Sequence, residues 1–144
     1  MIRILFIIIS LSFIFSSSIS DENKKRVEDA LKEVEEALID FSLLTPQDSL
    51  VTLSELKDKV VLVNFWATWC GPCRMEIPEF NELQNRYKDH GFEILSISIS
   101  DTKKQLIDFL KLYKIDYTLL YGSGQAIEKV TSDFGGIYAV PMSF

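Results

Sequence analysis

Apolar and polar positions along this chain change period several times, and each change marks an element. Val60-Val61-Leu62-Val63-Asn64-Phe65 is apolar and largely β-branched, without polar alternation, which predicts a buried central strand. From Arg74 to Tyr87 the spacing becomes helical, with Phe80, Leu83 and Tyr87 on one face. Pro78 falls inside that helix and is expected to kink it, and Gly91 ends the segment. Glu93 to Ser100 predicts a second strand. Thr102-Lys103-Lys104-Gln105 fits a capping box, and Leu106, Phe109, Leu110 and Tyr113 supply the helix face that follows. Tyr117 to Tyr121 is a short strand-like run and Gly122-Ser123-Gly124 a loop. Ala126, Ile127, Val130 and Phe134 then predict a short helix stopped by Gly135-Gly136. Strands alternating with helices predict an α/β fold whose sheet includes parallel pairs.

Ahead of the central strand the pattern differs. Phe41-Ser42-Leu43-Leu44 and Leu50-Val51-Thr52-Leu53 flank a turn cluster, Thr45 to Ser49, and predict a small hairpin. Ser54 to Asp58 reads as one helical turn capped by Ser54. In residues 21–39, Val27, Leu31, Val34, Leu38 and then Phe41 recur at spacings of four and three, an amphipathic helical spacer with Glu28 and Lys32 paired one turn apart. A two-heptad coiled coil is the sharper alternative.

Residues 1–20 read as a targeting segment. Arg3 is a positive start, Ile4 to Phe15 is apolar apart from Ser10 and Ser12, and Ser18 and Ser20 fit cleavage before Asp21. The apolar run is shorter than the ~20 residues of a spanning helix, which favours a signal peptide; a tether to the membrane through residues 4–15 is the alternative. Either one implies an extracytoplasmic protein, in the bacterial periplasm or on the outer face of the membrane, where disulfides persist.

Composition removes several function classes. With 144 residues there is room for one ordinary domain. A formal charge of −6 and no basic run argue against nucleic acid as a partner. One histidine, His90, and no second cysteine pair leave no metal site. No glycine-rich phosphate loop occurs, and no cofactor is expected.

The chemistry concentrates in Cys70-Gly71-Pro72-Cys73, the only two cysteines of the chain, between the buried strand and the helix. A thiol at a helix N-terminus meets unpaired N–H groups and the positive dipole end, which lower its pKa from about 8.5 toward about 3.5–7.5. Cys70, on the turn, is expected to be the more exposed and the attacking thiol, with Cys73 as the resolving one. Gly71 and Pro72 shape the bend, and Pro72 gives up no hydrogen bond at a helix start. A structural disulfide is disfavoured because so small a loop stabilises weakly.

Asn64-Phe65-Trp66-Ala67-Thr68-Trp69-Cys70-Gly71-Pro72-Cys73-Arg74 resembles the active-site motif of the thioredoxin superfamily, and more closely its exported TlpA-like, or redoxin, branch. The resemblance covers roughly Asp40 to Phe144, with Asp40 to Leu43, Leu53 to Leu56 and Val140-Pro141 as supporting matches. It implies a thioredoxin-like domain over 40–144, with a central mixed sheet flanked by helices and an N-terminal hairpin. It also implies that the family's last hairpin and helix are missing, since the family pattern continues beyond the position of Phe144. By the same resemblance Cys70 and Cys73 form the redox-active disulfide. Pro141 is cis and faces the pair, and the backbone of Val140 pairs with substrate. Asn64 stands where cytosolic thioredoxins carry a buried Asp and cannot act as a base. Glu76 is the candidate for that proton role, against a plainer reading as an acidic residue in the first helical turn. Trp66 and Trp69 are expected to pack around the site, Arg74 to be a solvated helix residue and His90 a loop residue.

These features imply a thiol–disulfide oxidoreductase that reduces disulfides of exported proteins, for cytochrome c maturation or a related task. Its partners are protein thiols and disulfides, with an upstream membrane electron donor. A non-catalytic binding module is the alternative, and metal chaperoning through the two thiolates a weaker one.

Overall fold

The computed structural model of the protein describes residues 21–30, 32 and 39–144. The chain divides into two compact units, residues 1–38 and 39–144. In the first, residues 21–30 are helical, and Lys24 and Glu28 pair one turn apart at 3.9 Å. The targeting segment 1–20, the tether 4–15 within it, and Leu31, Val34 and Leu38 of the apolar stripe lie outside the described residues. Among the described residues no helix is long and apolar enough to cross a membrane. Phe41 does not continue the helical stripe: it lies outside any helix and is buried in the core of the second unit.

The second unit opens with an antiparallel hairpin, β1 (Ser42–Leu44) and β2 (Leu50–Thr52). A 3-10 turn follows over Leu53–Leu56, without a side-chain cap. The expected cap from Ser54 is replaced by Asp40, whose Oδ1 accepts from the backbone N–H of both Ser54 and Phe41 at 2.9 Å. Asp40 can serve both donors because β2 returns the chain to the start of β1, where the Leu53 N–H meets the Phe41 carbonyl at 3.0 Å.

Strand β3 (Val60–Trp66) is central, as its unbroken apolar run predicts. It pairs in parallel with β4 (Phe92–Ser98), which pairs in parallel with β5 (Thr118–Leu120). A two-residue strand, β6 (Met142–Ser143), pairs antiparallel on the other side of β3, so the order is β5-β4-β3-β6. The hairpin joins beyond β5, where Leu44 and Tyr121 exchange backbone hydrogen bonds of 3.1 and 2.9 Å.

Three helices connect the strands: α1 (Gly71–Tyr87), α2 (Lys103–Leu110) and α3 (Gly124–Asp133). α1 begins three residues before Arg74, because Cys70 rather than a later residue is its N-cap, and it runs through Pro78. A 3-10 turn, Lys88–His90, follows it and closes at Gly91, whose φ of 78° is left-handed and favours glycine. α2 carries the capping box of Thr102 and Gln105 and stops before Tyr113, whose ring stacks on Phe109. Gly124 opens α3 instead of closing a loop, since the Ser123 side chain caps it.

Successive β3 residues serve opposite faces. Val63 and Phe65 pack with Leu43, Leu95, Ile97, Leu120 and the α3 residues Ile127 and Val130. Trp66 packs on the other face with Ile77 of α1 and with Leu106 and Phe109 of α2. Two crossovers in one direction, β3-α1-β4 and β4-α2-β5, put α1 and α2 on the same face, and the return to β6 puts α3 on the opposite one. The C-terminal ends of β3 and β4 are thereby left at the rim where α1 begins.

Candidate active site

Cys70, four residues past the end of β3, has extended backbone, φ −76° and ψ 109°, and caps α1. Its sulfur is bonded to that of Cys73, with the Cα atoms 5.3 Å apart. The same sulfur accepts the backbone N–H of Cys73 at 3.2 Å. A donor aimed at sulfur from a helix start stabilises negative charge there, so the arrangement suits a Cys70 thiolate once the pair is reduced.

Both cysteines are buried, Cys70 with 3% and Cys73 with 4% of its surface exposed, which corrects the expectation that Cys70 is the more exposed. The cover comes from a distant segment. The Val140-Pro141 peptide is cis, and the carbonyl oxygen of Val140 lies 3.7 Å from the Cys70 sulfur. Val140 itself packs against both core clusters. On the solvent side Gly71 is half-buried and Pro72 exposed. Trp69 is 64% exposed, and its indole N–H donates to Ser100 Oγ at 3.0 Å. Trp66 is buried in the cluster that holds both cysteines, ring against Phe109 at 5.2 Å, and its Nε1 has no hydrogen-bond partner among the described residues.

Asn64 is buried in β3 beneath the turn. Its Nδ2 donates to Ser143 Oγ at 3.1 Å and its Oδ1 accepts from Ser96 Oγ at 2.8 Å, so the amide is used on both sides by neighbouring strands. Glu76 sits in the second turn of α1, because the helix starts at Gly71; the reading of Glu76 as a first-turn acid therefore falls. It is half-buried, and its carboxylate has no hydrogen-bond partner among the described residues. Burial, and then the charge of Glu79, raise its pKa above the usual carboxylate value. Tyr117, which meets Phe80 edge to face at 5.8 Å, has its phenol pushed above the ordinary range by burial and then by the charge of Glu76. Arg74 is exposed, and His90 lies in the 3-10 turn beyond α1.

Asp101, which belongs to none of the motifs in the sequence, is buried just past β4. Its carboxylate accepts from the Thr68 backbone N–H at 2.8 Å, from Thr68 Oγ1 at 2.6 Å and from Ser98 Oγ at 2.7 Å. The signal available in the sequence is a carboxylate at the C-terminal end of a parallel strand beside the motif strand, the rim where open α/β sheets place their sites. Among the described residues no three acidic, histidine or cysteine side chains gather in a way that would hold a metal ion. The site thus unites Cys70, Cys73 and the Val140-Pro141 peptide. Asn64 lies on the strand leading into it, and Glu76 one turn beyond Cys73.

Comparison with known proteins agrees with this layout. The model of the AhpC/TSA family matches residues 34–137. A thiol-disulfide oxidoreductase ResA from Oceanobacillus iheyensis is 34% identical over 120 residues, 79% of this chain and 58% of that protein. Another ResA, from Bacillus cereus (strain ZK / E33L), is 36% identical over 96 residues, 65% of this chain and 52% of that protein. This chain spans little more than half the length of these curated relatives. A crystal structure of a thiol:disulfide interchange protein of the thioredoxin family from Chlorobium tepidum TLS superposes with a TM-score of 0.64 at 30% identity, covering 73% of each chain. The match over more than half of its length, on this fold, makes the chain a member of the AhpC/TSA family, a redoxin of the thioredoxin superfamily.

Proposed function

We infer that this chain is a thiol–disulfide oxidoreductase that reduces disulfides of exported proteins, as in cytochrome c maturation or a related extracytoplasmic task. The observation that carries the reading is the cysteine pair at the start of α1, with the Cys73 amide on the Cys70 sulfur and the Val140 carbonyl beside it. The names of the relatives, thiol-disulfide oxidoreductase and thiol:disulfide interchange protein, support the same chemistry.

In the reduced protein the Cys70 thiolate attacks one sulfur of a substrate disulfide. A Cys70–substrate disulfide forms, and the other substrate sulfur leaves as a thiolate and takes up a proton. Cys73, deprotonated, then attacks the Cys70 sulfur, releasing the second substrate thiol and closing the Cys70–Cys73 bond. Two electrons pass from the pair to the substrate, so the pair must be reduced again by a donor dithiol. With residues 1–20 read as a signal peptide or anchor, that donor lies in or at the membrane. The exchange of the Cys73 proton through solvent is assigned to Glu76, a reading supported by its half-burial and raised pKa. Val140 offers backbone to a substrate peptide, with Pro141 as the wall of the site. The reducing direction is supported by the Gly-Pro dipeptide between the cysteines, shared with thioredoxin near about −270 mV.

A Cys73→Ser variant tests the reading. Incubated with a disulfide-bonded protein, it should retain that protein covalently through Cys70, released by dithiothreitol, while Cys70→Ser retains nothing. Failure of Cys73→Ser to capture any substrate would leave the binding-module reading in its place. A measured potential near about −120 mV would reverse the direction to oxidation.

A further inference from the structure

We propose that Asp101 is a positioning residue for Cys70: through Thr68 it holds the turn that aims the Cys70 sulfur at the N-terminus of α1. The proposal rests on the reading of Cys70 as the attacking thiol.

The turn from Trp66 to Cys70 is tied to the segment after β4 at three levels. The Ile99 N–H donates to the Trp66 carbonyl at 3.0 Å, Asp101 takes both donors of Thr68, and the Trp69 indole N–H reaches Ser100. Within the turn, the Cys70 N–H closes on the Ala67 carbonyl at 3.0 Å, so Thr68 lies inside the loop that presents Cys70. Asp101 is held in turn by Ser98, whose hydroxyl donates to its carboxylate and accepts its backbone N–H at 3.0 Å. Three donors converge on one buried carboxylate, which offsets the cost of burying its charge and makes these the strong members of the network. A sulfur aimed by such a frame meets the Cys73 N–H at 3.2 Å. Since the stabilisation of a thiolate at a helix start falls off within one turn, a small displacement of the Cys70 loop costs reactivity.

The test measures the pH dependence of iodoacetamide alkylation at Cys70 in the reduced full chain, followed by mass spectrometry, beside thermal unfolding. Thr68→Val removes the hydroxyl bond and keeps the Asp101 charge; Asp101→Asn keeps the size and removes the charge; Thr68→Ser restores the hydroxyl. Positioning raises the alkylation midpoint in Thr68→Val and Asp101→Asn by about half a pH unit, roughly a threefold loss of thiolate below the midpoint. Thr68→Ser returns the midpoint to the wild-type value. An unchanged midpoint in Thr68→Val and Asp101→Asn, whatever happens to the melting temperature, overturns the proposal and leaves Asp101 a staple of the fold. A lowered midpoint in Asp101→Asn with none in Thr68→Val also overturns it, since Asp101 then acts through its charge. If Asp101→Asn does not fold, Thr68→Val alone decides. A wild-type protein in which Cys70 reacts no faster than Cys73 sinks the functional reading instead.

Discussion

The backbone N–H of Cys73 points at the sulfur of Cys70 from 3.2 Å, across the first turn of α1. A single residue thus serves as helix cap and as one half of the disulfide. In the reduced protein the same amide faces the free thiolate. Alkylation of the reduced chain should therefore show Cys70 reacting first, with a midpoint below the ordinary thiol value of about 8.5, inside the range of about 3.5–7.5 for helix-start cysteines. A midpoint near 8.5, on the ordinary value, would mean that the helix end does not act on the sulfur.

Glu76 has a raised pKa in the folded chain, from burial first and the charge of Glu79 second. The folded state therefore holds its proton to higher pH than the unfolded state does. Its contribution favours folding at low pH and is lost as pH rises from the unfolded carboxylate value through the raised folded one. Glu76→Gln should remove that slope, leaving the protein at pH 7 as stable as wild type or more so, while turnover of a disulfide substrate falls. Urea denaturation at several pH values, beside an insulin-reduction assay, reads both effects. A variant that loses stability at pH 7 contradicts the assignment.

Asn64→Asp should restore the residue type that cytosolic thioredoxins carry at this place, at a cost. Both amide contacts run to hydroxyls, Ser143 and Ser96, which can turn to donate to a carboxylate. The charge nevertheless stays buried, because Asn64 is enclosed by β4 and β6. A loss of about 1–3 kcal/mol at neutral pH is expected. The buried carboxyl titrates high, so the loss should shrink as pH falls toward 5, which denaturation curves at pH 5 and 8 would display.

Phe65 is fully buried and meets Phe134 edge to face at 5.3 Å and Phe144 at 6.1 Å. Phe65→Ala should cost about 3–5 kcal/mol. Against the ~5–15 kcal/mol of an ordinary domain, that shows as a large drop in urea midpoint with an unchanged slope. A loss below about 1 kcal/mol would mean that the site collapses around the deletion.

The succession of strands and helices was legible because each change of period is local: two residues for a hairpin strand, none for β3, three to four for the helices. The capping box at Thr102 and the glycines after α3 were legible for the same reason. What escaped depends on parts of the chain that meet only in three dimensions. Gly71-Pro72 fits a turn as well as a helix start, and only the folded cap fixes Gly71 as the first helical residue. Cys70 looks exposed because nothing near it in sequence covers it; Val140 does. Asp101 looks like a loop residue preceding a capping box, and its partner Thr68 stands on a different strand's exit. Ser54 looks like a cap, but Asp40 takes its place from across the hairpin.

The cover over Cys70 has a consequence in time. Val140 follows Cys70 by 70 residues, and β6, which seats the end of that segment, pairs with the strand that leads into the cysteine turn. A chain made from its N-terminus at about 5–20 residues per second presents both thiols roughly 4–14 seconds before the residue that closes over them. During that interval the pair meets any oxidant or thiol in its surroundings without the shelter of the finished site. The order in which the chain arrives thus fixes how long the pair stands uncovered in a newborn molecule.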